Sequence, residues 1–259
     1  MELREIIWKV LDWLYTPQCV SCGEKGTILC ARCEKEIERV TSPYCPKCGK
    51  PIIAGKGCRL CKTSDFCFDA ARACFIYSGP VAAGIKQLKY HQNLELSGYF
   101  GKELAKLYRA LYWESDLLIP VPLSKERKRE RGFNQSEWIA KELGKEVSVP
   151  VSTTALLKIR HTETQVQLNG DNRRKNLKGV FLAEPVFVRE KSVLLIDDVM
   201  TTGTTFNECA AALLEAGARE VRCLAIATAD FKNAVSKDKF QGKTAAEPDF
   251  QEDQYGRKD

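Results

Sequence analysis

Two groups of residues in this 259-residue chain have the types and spacing to do chemistry. The first is the run Val193-Leu-Leu-Ile-Asp197-Asp198-Val-Met-Thr201-Thr202-Gly203-Thr204-Thr205. An apolar stretch leads through two adjacent carboxylates into a hydroxyl-rich turn and then a helical pattern. A loop that opens a helix offers free backbone N–H groups and the favourable end of the helix dipole to a phosphate. Gly203 lets the backbone approach an anion closely, and Thr201, Thr202, Thr204 and Thr205 add hydroxyl donors. Asp197 and Asp198 repel a bare phosphate. Adjacent acids at the end of a strand suit instead the two hydroxyls of a ribose, or a metal held there. The run reads as a ribose 5-phosphate cradle. An ordinary threonine-capped helix explains one threonine, but not four with a glycine and a preceding acidic pair.

The second group is cysteine. Of twelve cysteines, eight fall in four Cys-x-x-Cys pairs: Cys19/Cys22, Cys30/Cys33, Cys45/Cys48 and Cys58/Cys61. Such a turn places two sulfurs on one side of a knuckle, where both reach one metal. Gly23 and Gly49 follow two of the knuckles and permit the left-handed backbone these turns favour. Four pairs make two all-thiolate zinc sites. No histidine or carboxylate breaks either shell to leave an open position, so both read as structural. Sequential pairing is favoured over cross-bracing, since each site then joins one Cys-x-x-Cys-Gly knuckle to one plain pair. Iron–sulfur ligation favours tighter spacing, disulfides need an oxidising compartment, and a thioredoxin-like site needs only one pair, inside an α/β unit. Cys67, Cys74, Cys209 and Cys223 read as small core residues.

Basic segments support the cradle. Pro120-Val-Pro-Leu-Ser124 follows the apolar run 117–121, and Val121–Lys125 is the candidate loop for a diphosphate, with Ser124 as a donor. From Lys125 to Arg131 there are five basic and two acidic residues, followed by Gly132-Phe133-Asn134-Gln135. Arginine binds phosphate in bidentate fashion, which makes Arg131 a candidate. Arg160-His-Thr-Glu-Thr-Gln165, followed by Arg173 and Asn176, reads as a lid closing over a diphosphate, with Arg160 its leading contact. Lys86 and Lys89 add charge near one helix end. Neither His91 nor His161 announces a general base.

The elements that must position these groups alternate. Leu117–Val121, Val193–Ile196 and Val221–Ala227 are short apolar runs expected of buried parallel strands. Val81–Leu88, Leu96–Leu111 and Thr204–Ala216 show helical spacing, the last closed by Gly217. The pattern predicts an α/β domain over 69–230. Residues 1–68 hold an amphipathic helix and the cysteine modules, which have too little core to fold without staples. The segment 231–259 is charged, poor in apolar residues and expected to be disordered. The net charge of +6 favours a polyanionic ligand. No run reaches the ~18 apolar residues of a membrane span, and the acids in the first helix exclude a signal peptide, so a cytoplasmic protein is expected.

The run 193–205 resembles the phosphoribosyl pyrophosphate motif of the type I phosphoribosyltransferases. The resemblance implies that Asp197 and Asp198 contact the ribose hydroxyls, that 201–205 hold the 5-phosphate, and that magnesium accompanies the diphosphate. With the cysteine modules, Leu88-Lys89-Tyr90, Arg131-Gly-Phe-Asn-Gln135 and the Arg160…Asn176 run, residues 1–230 resemble the ComF competence family. That family joins a double zinc ribbon to a type I phosphoribosyltransferase-like parallel sheet with flanking helices. The implied role is in DNA uptake during natural transformation, beside competence-machinery proteins. The alternative is a non-catalytic binder of single-stranded DNA, with the phosphoribosyl site as sensor or relic. Trp8, Trp13, Tyr15, Tyr44 and Phe66 would then be stacking faces, although Trp8 and Trp13 fit packing better.

Overall fold

The computed structural model describes residues 17–53, 57–91, 93–159 and 179–229. The amphipathic N-terminal helix with Trp8, Trp13 and Tyr15, the lid segment 160–178 and the tail from 230 lie outside the described residues.

Four parallel strands form the main sheet: β1 (Ala70–Ile76), β2 (Leu117–Pro120), β5 (Ser192–Met200) and β6 (Glu220–Thr228), in the order β1-β6-β5-β2. Leu117 pairs with Val193 and Pro120 with Ile196, while Asp197 sits opposite Ala225. The centre of the sheet, at Leu117–Ile119, Val193–Ile196 and Cys223–Ala227, is continuously apolar because both of its faces are covered, as parallel sheets require. Alternation sorts their side chains. Leu118, Leu194, Ile196, Leu224 and Ile226 face one layer, made by α3 (Gly79–His91), α4 (Leu94–Ala110) and α6 (Gln135–Val147). Leu117, Ile119, Val193, Leu195, Val221 and Cys223 face the other, built on α8 (Thr204–Glu215) and the two-stranded sheet of β3 (Leu156–Lys158) and β4 (Phe181–Ala183). Between these elements lie two short helices, α5 (Lys125–Arg131) and α7 (Pro185–Val188).

The helices expected at 81–88, 96–111 and 204–216 form, with ends set by caps. Asn93 accepts from the Leu96 amide at the start of α4, and Gly217 takes φ +93 just beyond α8. One expectation shifts: β5 runs past the acidic pair to Met200, where Thr228 Oγ1 donates to the Met200 carbonyl at 3.1 Å. The acids therefore lie within the strand near its C-terminal end, and the threonine turn begins at Thr201.

The cysteine segment carries two short helices, α1 (Ala31–Lys35) and α2 (Arg59–Thr63), and packs along β1. Residues 38–40 run antiparallel to the outer edge of β1. The Val40 amide donates to the Cys74 carbonyl and the Ile76 amide to the Glu38 carbonyl. At the opposite edge, residues 150–152 run parallel to β2: the Leu118 amide donates to the Pro150 carbonyl and the Ser152 amide to the Leu118 carbonyl. Both sheet edges are thus sealed by single short segments.

Candidate functional site

The two cysteine groups assemble in sequential order, Cys19/Cys22/Cys30/Cys33 and Cys45/Cys48/Cys58/Cys61, with the four sulfurs of each within 4.8 Å of one another. Sγ–Sγ distances of 3.6 Å (Cys22–Cys30), 3.6 Å (Cys45–Cys61) and 3.5 Å (Cys48–Cys58) match the ~3.8 Å that a tetrahedral zinc with ~2.3 Å bonds imposes. The donor set fits structural zinc at both positions. Gly23 and Gly49 take φ +77 and +69, as the knuckles demand. Of the four remaining cysteines, Cys74, Cys209 and Cys223 are buried as expected. Cys67 is exposed, and its thiol donates to the Asn207 carbonyl.

The acidic pair and the threonine turn come together at the C-terminal end of β5. Gly203 stands at φ +78, ψ 0 as the residue before α8, so the chain curls rather than extends. Thr201 and Thr205 are exposed, Thr202 and Thr204 partly so, with the hydroxyls of Thr202 and Thr204 2.8 Å apart. The amides of Thr202, Gly203, Thr204 and Thr205 donate no hydrogen bond to any described residue. These four N–H groups stand at the start of a twelve-residue helix, an arrangement able to receive an anion.

Each carboxylate divides its oxygens. Asp197 Oδ1 accepts from the Ser136 hydroxyl and the Asp198 amide, both at 2.9 Å. Asp198 Oδ2 accepts from Gln135 Nε2 at 2.9 Å and pairs with the Lys89 ammonium at 3.0 Å. The second oxygen of each accepts no hydrogen bond from the described residues and is open to a ligand. Burial, and then the neighbouring charge of Asp198, push the Asp197 pKa up to about 7 against the pull of the Asp198 amide and Ser136. Burial disfavours the Lys89 ammonium, but Asp198 and Asp197 outweigh it, and its pKa is raised.

The segment after β2 is held beside this pair. The Val121 amide donates to the Ile196 carbonyl at 2.9 Å, and Asn134 Nδ2 donates to the Val121 carbonyl at 3.0 Å. Ser124 caps α5, its hydroxyl accepting from the Arg127 amide. A cleft of about 510 Å³ opens over this loop, walled by Pro122, Ser124, Lys128, Glu137, Leu157 and Lys158 among others. Arg131 lies over the Tyr90 ring at 5.3 Å and reaches Gln135 Oε1 at 3.5 Å. Arg160 and the residues of the expected lid, His161, Gln165, Arg173 and Asn176, lie outside the described residues.

Four participants were not read as site residues from the sequence. Ser136 and Gln135 anchor the acids, although Gln135 belongs to a motif noted for its amide. Lys158 projects into the cleft over Phe181. Lys50, from the second cysteine group, donates through its ammonium to the carbonyl of Thr201. Two aromatic residues offered as stacking faces are engaged within the fold. Phe66 is buried and stacks on Phe68 at 4.8 Å, and Tyr44 lies beneath the Arg72 guanidinium at 4.9 Å.

A pair of four-cysteine ribbons on a parallel α/β sheet with an acid–threonine turn defines a zinc-ribbon protein of phosphoribosyltransferase type. Comparison with known proteins agrees: residues 10–63 match the family described as "Double zinc ribbon domain", and residues 132–251 match "Phosphoribosyl transferase domain". The chain is 28% identical to Competence protein F of Haemophilus influenzae over 229 residues, 82% of this chain and 97% of that one. It is 27% identical to Competence protein ComFC of Bacillus subtilis (83% and 85% covered), and 30% identical to DNA utilization protein YhgH of Escherichia coli O157:H7 (75% and 87%). The chain belongs to the ComF competence family. Among the described residues no helix is long and apolar enough to cross a membrane.

Proposed function

We propose that this chain binds phosphoribosyl pyrophosphate with magnesium at the end of β5 and serves DNA uptake in natural transformation. One observation carries the reading: four open amides curl around an anion seat directly after two carboxylates that each keep one oxygen free. The free oxygens of Asp197 and Asp198 accept from the ribose 2- and 3-hydroxyls. Thr201, Thr202, Gly203, Thr204 and Thr205 hold the 5-phosphate through amides and hydroxyls. The diphosphate extends toward Val121–Lys125, where Ser124 and backbone amides meet it, with Arg131 and Arg160 supplying charge. Magnesium neutralises the diphosphate when bound.

As a phosphoribosyltransferase, the site breaks the bond between the anomeric carbon and the diphosphate oxygen. The ring oxygen shares the positive charge that develops, and the ionised acids orient the ring. Arginine and amide donors stabilise the leaving diphosphate. A nucleophile then forms the new bond to that carbon. The acceptor class is left open, as no described side chain marks it. The names of the relatives support the placement in competence and DNA handling.

Calorimetric titration with magnesium and phosphoribosyl pyrophosphate tests this. Saturable binding is expected, weakened at least tenfold, about 1.4 kcal/mol, in the Asp197→Ala/Asp198→Ala chain. No binding at millimolar ligand removes the reading.

A second reading, single-stranded DNA binding, is favoured by one feature. All five basic residues of α5 are solvent-accessible, and Tyr90, 65% exposed, lies beside them under Arg131. Affinity for a single strand that falls steeply with salt, with a shallower slope after Lys128→Ala and Arg129→Ala, supports it.

A further inference from the structure

We propose that Lys50 is a positioning residue for the phosphate loop, coupling the second cysteine cluster to sugar-phosphate binding. The proposal rests on the reading of 201–205 as the 5-phosphate seat.

Lys50 follows the Cys45–Cys48 knuckle and Gly49. Its carbonyl accepts from the Cys45 amide at 2.8 Å, which fixes its backbone to the metal-binding turn. The residue is only 3% exposed, so its ammonium lies inside the protein, and it donates to the Thr201 carbonyl. Burying a cation costs free energy unless negative charge is near. A zinc held by four thiolates carries a formal charge of roughly −2, which supplies it. The lysine thus stands between a net negative metal cluster and the loop that must receive an anion.

The geometry of the peptide unit gives this contact its consequence. Among the described residues the sole cis peptide is Ser42–Pro43, so the 201–202 peptide is trans. In a trans peptide the C=O and N–H point in opposite directions. Drawing the Thr201 carbonyl back toward Lys50 turns the Thr202 N–H away from the ribbon, toward the side where the amides of Gly203 to Thr205 are open. The same region braces the loop twice more. A Cβ at Gly203 would lie 3.2 Å from the Phe66 ring, and the Cys67 amide donates to Asn207 Oδ1 at 2.7 Å on the first turns of α8. Phe66 and Cys67 follow the last ligand, Cys61, by a few residues. The second ribbon therefore supports the seat from behind. The first ribbon supplies none of these contacts.

Sites coupled in this way influence each other reciprocally. Bound sugar phosphate should slow loss of metal from the second cluster, and only while Lys50 is present.

The test uses the full chain with two zinc ions bound, as wild type, Lys50→Met and Lys50→Arg. Each is titrated with ribose 5-phosphate, with inorganic pyrophosphate, and with phosphoribosyl pyrophosphate plus magnesium. Lys50→Met is expected to bind ribose 5-phosphate and phosphoribosyl pyrophosphate about tenfold more weakly. It should hold pyrophosphate within about twofold of wild type and retain both metals, with Lys50→Arg recovering most of the loss. Unchanged ribose 5-phosphate affinity in Lys50→Met overturns the proposal. So does equal weakening toward all three ligands, which marks a general loss of fold, or an Lys50→Arg chain no better than Lys50→Met. Should Lys50→Met not fold, the rate of zinc release to a chelator from the wild type decides. Protection by ribose 5-phosphate supports the coupling, and its absence overturns it. A wild type that binds pyrophosphate but neither sugar phosphate fails the underlying functional reading, whereas normal wild-type binding with an indifferent Lys50→Met fails this proposal alone.

Discussion

The two ribbons share a ligand set and a spacing but do different work. The first, around Cys19 to Cys33, keeps a small core of its own with Leu29. It meets the body through Val20, Ile28 and Ile37 and through the ion pair of Arg39 with buried Glu103 at 2.8 Å. The second places Cys45 and Cys48 within the main core, beside Phe66, Phe68, Ala71 and Phe206. Gly49 approaches β1 so closely that a Cβ there would lie 2.3 Å from the Ala71 carbonyl oxygen. The same local chemistry acts as an appended module in one case and as part of the foundation in the other. What surrounds a metal knuckle, not its ligands, decides what its loss would cost.

The largest expected effect separates the ribbons directly. Cys48→Ser should forfeit much of the ~10 kcal/mol a structural zinc contributes, leaving insoluble protein or lowering the main unfolding midpoint by on the order of 15 °C. Cys22→Ser, at an exposed ligand of the first cluster, should leave that midpoint within a few degrees and ribose 5-phosphate affinity within about threefold. Scanning calorimetry with metal analysis checks both, and equal losses would erase the distinction.

A smaller effect sharpens it. Gly203→Ala puts a side chain at φ +78 and presses on Phe66, costing about 1–2 kcal/mol of stability and weakening ribose 5-phosphate binding roughly tenfold. If Phe66→Leu in the same chain restores binding, the second ribbon's contact is the cause. A loss untouched by Phe66→Leu assigns the effect to the backbone alone.

The smallest effect belongs to neither ribbon and sets the baseline. The Asp197 pKa is raised on folding from 3.8 to about 7. The folded chain therefore binds this proton more tightly than the unfolded chain does, and stability falls as pH rises through that window. Asp197→Asn keeps an acceptor for Ser136 and the Asp198 amide without the charge. It should melt measurably later than wild type at pH 8, with the gain vanishing near pH 4. Sugar-phosphate binding should be lost at both. A chain no more stable at pH 8 than wild type would show that Lys89 already cancels the repulsion.

How much of this was legible depended on distance along the chain. The acid–threonine turn and the cysteine pairs are local, so residue type and spacing define them, and sequential pairing followed from knuckle similarity. The partners of the acids are remote: Gln135 reaches Asp198 across 63 positions, and Lys50 reaches Thr201 across 151. A lysine beside a cysteine knuckle looks like any solvated charge until the sheet brings the two segments together. The motif at 131–135 was legible as a motif, but its labour was not. Asn134 pins the Val121 carbonyl and Gln135 holds Asp198, so these amides serve the protein's own frame. The strands of the small second sheet, three residues each, are too short for period to reveal.

The segment 38–40, which joins one ribbon to the other, is also the only described cover along the middle of β1's outer flank. Chelation would not merely loosen an appendage. It would bare a row of unsatisfied backbone donors and acceptors along the edge of a parallel sheet, so metal-starved chains should stack on one another and come out of solution as fibre-like material, not linger as soluble coils.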